Sequence, residues 1–113
     1  MKKIEAIIRL TKFEDIRQAL ADIGVPFFTL KEVKGFGLQK SKAIVYRGSS
    51  YDADYIPRLQ IEIFCVSDKA DEIVNVILES GRTGEVGDGK IAVIDLESIY
   101  RIRNGATSSQ AIY

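Results

Sequence analysis

Pro57-Arg58-Leu59-Gln60-Ile61-Glu62-Ile63-Phe64-Cys65 is the clearest strand in the chain. Leu59, Ile61, Ile63 and Cys65 alternate with Arg58, Gln60, Glu62 and Phe64, the period of two that turns one apolar face to a core. Pro57 suits its first position, where a missing N–H breaks no ladder. Ser67 or Asp68 can then cap a helix in which Ala70, Ile73, Val74 and Ile77 follow the i, i+3, i+4, i+7 rule, and Gly81 ends it. Residues 91–96 read as a short, nearly continuous apolar strand. This half of the chain is therefore strand, helix, strand.

The first half repeats the pattern. In residues 3–9, Ile4, Ala6 and Ile8 alternate with Glu5, Ile7 and Arg9, again a half-buried strand. Thr11-Lys12-Phe13-Glu14 reads as a capping box, and Phe13, Ile16, Leu20 and Ile23 recur at helical spacing until Gly24, a left-handed C-terminal cap, and Pro26. Residues 27–34 form the second strand, with Leu30 and Val33 out of phase unless a bulge or twist reconciles them. The order is β-α-β, long loop, β-α-β. With right-handed crossovers this predicts an α+β, ferredoxin-like βαββαβ sandwich: an antiparallel four-stranded sheet with both helices on one face. Ile7, Phe64 and Val66 beside Glu5, Arg58 and Glu62 would face the uncovered side, which suits contact between copies of the chain. Cys65 falls on the core-facing side as a buried thiol.

One domain spanning residues 1–113 is expected, with a long functional loop at about 37–56 and a tail at about 104–113. A loop longer than about 12–15 residues between two strands is usually a working part. The 16 basic and 16 acidic residues cancel, so neither nucleic acid nor anionic lipid is favoured as a partner, and any anion site must be local. There is no histidine, and Cys65 is the only cysteine. These absences remove histidine acid–base catalysis, Cys/His nucleophile pairs, zinc sites and disulfide frameworks, while carboxylate-bound magnesium stays compatible. Glu5 and Arg9 interrupt any signal-peptide core and no apolar run is long enough to span a membrane, so a cytoplasmic protein is expected.

Three motifs bear on chemistry. Lys34-Gly35-Phe36-Gly37 could open an RNA-recognition signature, but Leu38, Gln39, Lys40 and Ser41 follow where stacking aromatics are needed. Gly84-Glu85-Val86-Gly87-Asp88-Gly89-Lys90 has P-loop glycine and lysine spacing, yet Ile91 replaces the magnesium-binding hydroxyl and the segment runs from helix into strand. It offers either backbone N–H groups and Lys90 to an anion or only a glycine turn. Asp88 there reads as a turn-stabilising carboxylate rather than a cation ligand. Arg101 and Arg103, on one side of an extended segment, can clamp phosphate or simply solvate an edge.

In combination and in this order, Lys34-Gly35-Phe36-Gly37, Gln39-Lys40, Tyr46-Arg47-Gly48-Ser49-Ser50-Tyr51, Thr83-Gly84 through Gly87-Asp88-Gly89-Lys90, and Arg101-Ile102-Arg103 closely resemble the PII nitrogen-regulatory signal-transduction family. The opening Met1-Lys2-Lys3-Ile4-Glu5-Ala6-Ile7-Ile8 is typical too, and the likeness runs to about Gly105. The resemblance implies a homotrimeric sensor, not an enzyme, with ATP or ADP in clefts between subunits and 2-oxoglutarate joining magnesium-ATP. The long loop would dock on a transporter, enzyme or regulator of nitrogen metabolism. Slow ATP hydrolysis at the cleft would be incidental.

By position, the resemblance puts Gly35, Phe36, Gly37, Leu38 and Gln39 at a loop base beside the phosphates, with Gln39 helping to hold magnesium. Gln39, Lys40 and Arg58 would meet 2-oxoglutarate. Thr29, Glu62 and Phe64 would lie near base and ribose. Gly87, Asp88, Gly89, Lys90, Arg101 and Arg103 would bind phosphates from the other subunit or the opposite wall. Tyr51 and Ser49 match positions that relatives modify, whereas Tyr46 and Tyr55 read as packing or partner contacts. Leu38 replaces an arginine that reaches the terminal phosphate, Arg58 replaces a lysine, and Phe27 and Phe28 replace smaller neighbours of the adenine. An alternative is therefore a divergent sensor that answers to ADP, AMP or another small anion, with little response to 2-oxoglutarate.

Overall fold

The computed structural model describes residues 1–37 and 55–112. Its elements are β1 (Lys2–Arg9), α1 (Phe13–Asp22), β2 (Thr29–Gly35), β3 (Ile56–Cys65), α2 (Ser67–Gly81) and β4 (Lys90–Asp95). The strands form one sheet in the order β2-β3-β1-β4, with every neighbouring pair antiparallel. This is the expected ferredoxin-like βαββαβ arrangement.

Register follows the apolar alternation. Ile4 lies opposite Ile63, Ala6 opposite Ile61 and Ile8 opposite Leu59, so the inward residues of the two central strands form one apolar surface. Ile16 and Leu20 of α1 and Ala70, Ile73 and Ile77 of α2 close over it in a single core. A slip of one residue would turn all these strand side chains to the other face, which fixes the pairing. Cys65 is buried in this core, and burial pushes its thiol pKa up. Phe13 and Phe28 pack edge to face at the core's margin, ring centres 6.0 Å apart.

Both helix starts differ from the sequence expectation. Thr11 lies inside a one-turn 3₁₀ helix, Leu10–Lys12, so the residue preceding α1 is Lys12, already helical at φ −101° and ψ −1° and without a side-chain cap. A hydroxyl cap needs extended backbone at that position. The Glu14 carboxylate instead accepts from Arg17 Nη2 at 2.7 Å. At α2, Val66 occupies the capping position in extended backbone, so the expected Ser67 or Asp68 cap is not made. Ser67 Oγ accepts from the N-terminal ammonium at 3.0 Å. The end of α1 is as expected: Gly24 has φ +83°, and Val25 N and Gly24 N donate to Leu20 O and Ala21 O at 2.8 and 3.0 Å, a Schellman closure.

No bulge interrupts β2, whose pairing with β3 runs unbroken from Thr29–Glu62 to Gly35–Ile56. Leu30 shares the helix side with Ile61, yet it is exposed because β2 is the sheet edge. Val33 lies opposite Arg58, on the other face. Edge position, not a backbone irregularity, accounts for the broken phase. Strand β4 begins one residue earlier than expected, and as the opposite edge it leaves Val93 and Ile94 exposed. Pro57 is the second residue of β3 and faces only β2, because the β1 pairing ends at Arg58.

Candidate functional site

Antiparallel pairing brings the end of β1, the start of β4, the start of β3 and the end of β2 to one end of the sheet. Arg9, Lys90, Arg58 and Gly35 all stand there. The segment between α2 and β4 turns on Gly84, Gly87 and Gly89, at φ +89°, +104° and +96°. Gly89 is also sterically confined, since a Cβ there would sit 1.7 Å from the Ile7 carbonyl oxygen, whereas a Cβ at Gly84 would meet nothing within 4 Å. Lys90 immediately pairs with Ile7, so the glycine loop rests directly on β1. A cavity of about 100 Å³ beneath it is lined by Ile7, Ile77, Leu78, Arg82, Gly89 and Lys90.

Asp88 organises this loop from inside. Its Oδ2 accepts from Thr83 N at 2.9 Å and Gly84 N at 2.8 Å, and its Oδ1 accepts from the Thr83 hydroxyl and from Arg9 Nε, the latter at 2.9 Å. The turn-stabilising role expected for this carboxylate matches the geometry. The Thr83 hydroxyl first, then the Arg9 guanidinium and the two backbone N–H groups, hold its pKa far below the usual carboxylate range. Because the folded-state pKa is depressed, the stabilisation is complete above the ordinary carboxylate pKa and disappears as pH falls from there through the folded value. Urea unfolding at descending pH should show the wild type's advantage over Asp88→Asn shrinking below about pH 4. A constant difference would count against it.

Beside the glycine loop is the base of the long loop. Phe36 and Tyr55 face each other across it, ring centres 6.3 Å apart, and Lys34 Nζ lies 4.6 Å above the Tyr55 ring. Tyr55 therefore packs within the base, in keeping with the sequence reading. Gly35 leaves room for the stem of Arg58, whose Cγ would be 3.2 Å from an added Cβ. Arg58 is 9% exposed, so it is more enclosed than an open-face residue. Burial first, and the neighbouring Arg9 charge second, lower its pKa, with Asp88 opposing them.

The remaining candidates lie toward the other end. Thr29 and Glu62 are directly opposed across β2 and β3. Glu62 receives Lys3 Nζ at 2.7 Å and Lys31 Nζ at 2.9 Å, and these bonds, Lys3 foremost, lower its pKa. Phe64 and Phe27 are exposed and line a recess of about 130 Å³ with Cys65, Val66 and Ile112. Arg101 and Arg103 follow β4 beyond its far end, in a segment closed by Arg101 N donating to Ala106 O and Gly105 N donating to Arg101 O, each at 2.8 Å. Arg101 Nη2 donates to the Gln110 carbonyl. In one chain the candidates thus form two groups, and the glycine loop belongs with Gly35 rather than with the arginine pair. Leu38, Gln39, Lys40, Ser49 and Tyr51 lie outside the described residues. Among the described residues, no group of three His, Cys, Asp or Glu side chains could hold a metal ion.

Arg9 was not among the expected site residues. Its alternation with Ile8 places it on the open face, but nothing local signals a bond to a residue 79 positions away. The motif around Thr83 gives no sign of its role, yet its hydroxyl and N–H supply half of the hydrogen bonds that Asp88 accepts.

Comparison with known proteins agrees with this architecture. The family model described as "Nitrogen regulatory protein P-II" matches residues 1–106. The chain is 44% identical to a nitrogen regulatory protein P-II of Pasteurella multocida and 46% identical to nitrogen regulatory protein P-II 1 of Escherichia coli K12. Each alignment covers 99% of this chain and 100% of the relative. A crystal structure of Arabidopsis thaliana PII bound to citrate superposes with a TM-score of 0.80 at 30% identity, covering 98% of this chain and 88% of that one.

Proposed function

This chain belongs to the nitrogen regulatory protein P-II family, a family of signal-transduction proteins, and we propose that it signals by binding adenine nucleotides in clefts between the subunits of a homotrimer. The observation that carries this reading is the grouping of Gly35 with the Gly87–Lys90 loop at one end of the sheet, while Thr29, Phe64, Arg101 and Arg103 lie toward the other. The first group offers permissive backbone and Lys90 to phosphates. The second, on a neighbouring copy, offers aromatic surface for a base and two guanidiniums for charge. Exposed Val93 and Ile94 on edge strand β4, and the open sheet face, supply apolar surface for the subunit contact.

In this proposal Gln39 and Lys40 of the long loop, with Arg58, hold 2-oxoglutarate, and Gln39 helps to hold magnesium. The loop then docks on a transporter, enzyme or regulator. A ligand moves docking only through unequal affinity for two loop states, each tenfold being about 1.4 kcal/mol. Modification of Tyr51 or Ser49 would add charge to the docking segment. The relatives are named as regulatory proteins, and the action proposed here is likewise binding, in the cytoplasm. No helix among the described residues is long and apolar enough to cross a membrane.

Calorimetric titration with ATP, ADP and AMP, each with and without magnesium and 2-oxoglutarate, tests the reading. Nucleotide binding is expected, and neither heat nor displacement of a fluorescent nucleotide would sink it. Leu38 replaces a charge-assisted contact worth about 1.5–3 kcal/mol, so ATP should exceed ADP by less than about tenfold. The second reading, a sensor for ADP, AMP or another small anion, is favoured by the citrate bound to the Arabidopsis relative. It predicts competition by citrate and indifference to 2-oxoglutarate.

A further inference from the structure

Arg9 ends β1 directly opposite Arg58 of β3, and two cations facing each other across a sheet repel. Asp88, within the glycine loop, supplies the opposing charge at this pair. Arg9 reaches it with Nε at 2.9 Å, and its Nη2 donates to the Val86 carbonyl at 2.9 Å. The same guanidinium therefore grips a side chain and the backbone of one loop. Through Asp88 Oδ2 the grip extends to the Thr83 and Gly84 amides, so both limbs of the loop are tied to the end of β1. The Arg9 and Asp88 side chains are 16% and 25% exposed, enclosed enough that water competes weakly for the pair.

Two consequences follow for an anion at Gly87–Lys90. The loop is held in one shape before any ligand arrives, which lowers the ordering cost of binding. The charge of Asp88 is also turned inward and matched by Arg9, so it does not oppose a phosphate on the other side. A lysine could match the charge, but it lacks the planar fork that bonds a carboxylate and a carbonyl together.

We propose that Arg9 is a positioning residue for the glycine loop, setting its affinity for the phosphate end of a nucleotide from beneath, without touching the ligand. The inference rests on the nucleotide reading of that loop and names the residue on which its phosphate contacts depend. The full chain and its R9M and R9K variants are titrated with ADP and, separately, with adenosine, and amide exchange at Thr83 and Gly84 is followed without ligand. In R9M, ADP should weaken by about tenfold or more while adenosine changes by less than about twofold. Exchange at both amides should quicken, and R9K should recover part of the ADP affinity.

Unchanged ADP affinity in R9M overturns the role, as does equal weakening of ADP and adenosine, which would mark a general loss of structure. If R9M does not fold, R9K carries the test, with an intermediate loss confined to ADP. A wild-type chain that binds neither compound removes the nucleotide reading itself, and the role of Arg9 with it. A wild type that binds ADP normally beside an indifferent R9M removes the role of Arg9 alone.

Discussion

Gly89→Ala should destabilise the folded chain by more than about 3 kcal/mol and abolish measurable ADP binding. Two costs combine. The backbone at Gly89 has φ +96°, a left-handed region that costs an L-residue roughly 1–2 kcal/mol. The added Cβ would also lie 1.7 Å from Ile7 O and 2.8 Å from Ile7 C, and neither atom belongs to a side chain that could rotate away. Relief requires the loop to lift from β1, which breaks the Ile7–Lys90 pairing and pulls Asp88 from Arg9. Gly84→Ala separates the two costs. Gly84 has a similar φ of +89° but nothing within 4 Å of its would-be Cβ, so only the conformational penalty of roughly 1–2 kcal/mol applies. Denaturant unfolding at matched protein concentration reads the difference, and equal losses in the two variants would refute the clash with β1.

Ile61→Ala should cost about 3–4 kcal/mol while leaving the ADP affinity of the folded protein unchanged. Ile61 is 0% exposed on a central strand, between Ala6 of β1 and Leu30 of β2. Ala6 is too small to fill the space, and Leu30 is held on the edge strand. The lost methyl and methylene groups therefore leave a cavity as well as forfeiting their transfer from water. The site is untouched because Ile61 faces the helices, whereas Gln60 and Glu62 beside it face away. A loss below about 1 kcal/mol would mean that the core collapses around the gap. Set beside Gly89→Ala, the pair distinguishes damage to the core from damage to the loop: both lose stability, but only the loop variant loses ligand.

Periodicity carried the fold because it is a local property. The alternation at Leu59, Ile61 and Ile63 and the helical spacing of Ala70, Ile73 and Ile77 name element and buried face together, and both agree with the structure. Capping was less legible. Thr11 and Glu14 satisfy a capping-box pattern, but Leu10–Lys12 enters α1 as a 3₁₀ turn. Ser67 satisfies an N-cap preference, but its hydroxyl is taken by an ammonium 66 residues away. In each case a geometry set by the preceding strand or a distant partner overrode a four-residue pattern. The phase break at Leu30 and Val33 likewise depended on β2 being an edge, which no residue within β2 announces.

From the sequence alone came the six elements, the core face of β1, β3 and both helices, the family, and the glycine loop as an anion candidate. Each depends on residues a few positions apart, where the chain's own geometry sets which side chains share a face. The tertiary structure decided the order β2-β3-β1-β4, the company of Gly35, Arg58 and the glycine loop at one end of the sheet, and the separation of Arg101 and Arg103 from them. It also decided that Arg9 holds Asp88 and that Ile7 leaves no room for a side chain at residue 89. Those contacts exist only once antiparallel register closes distant segments on one another, and register is a property of the assembled sheet that no single strand contains.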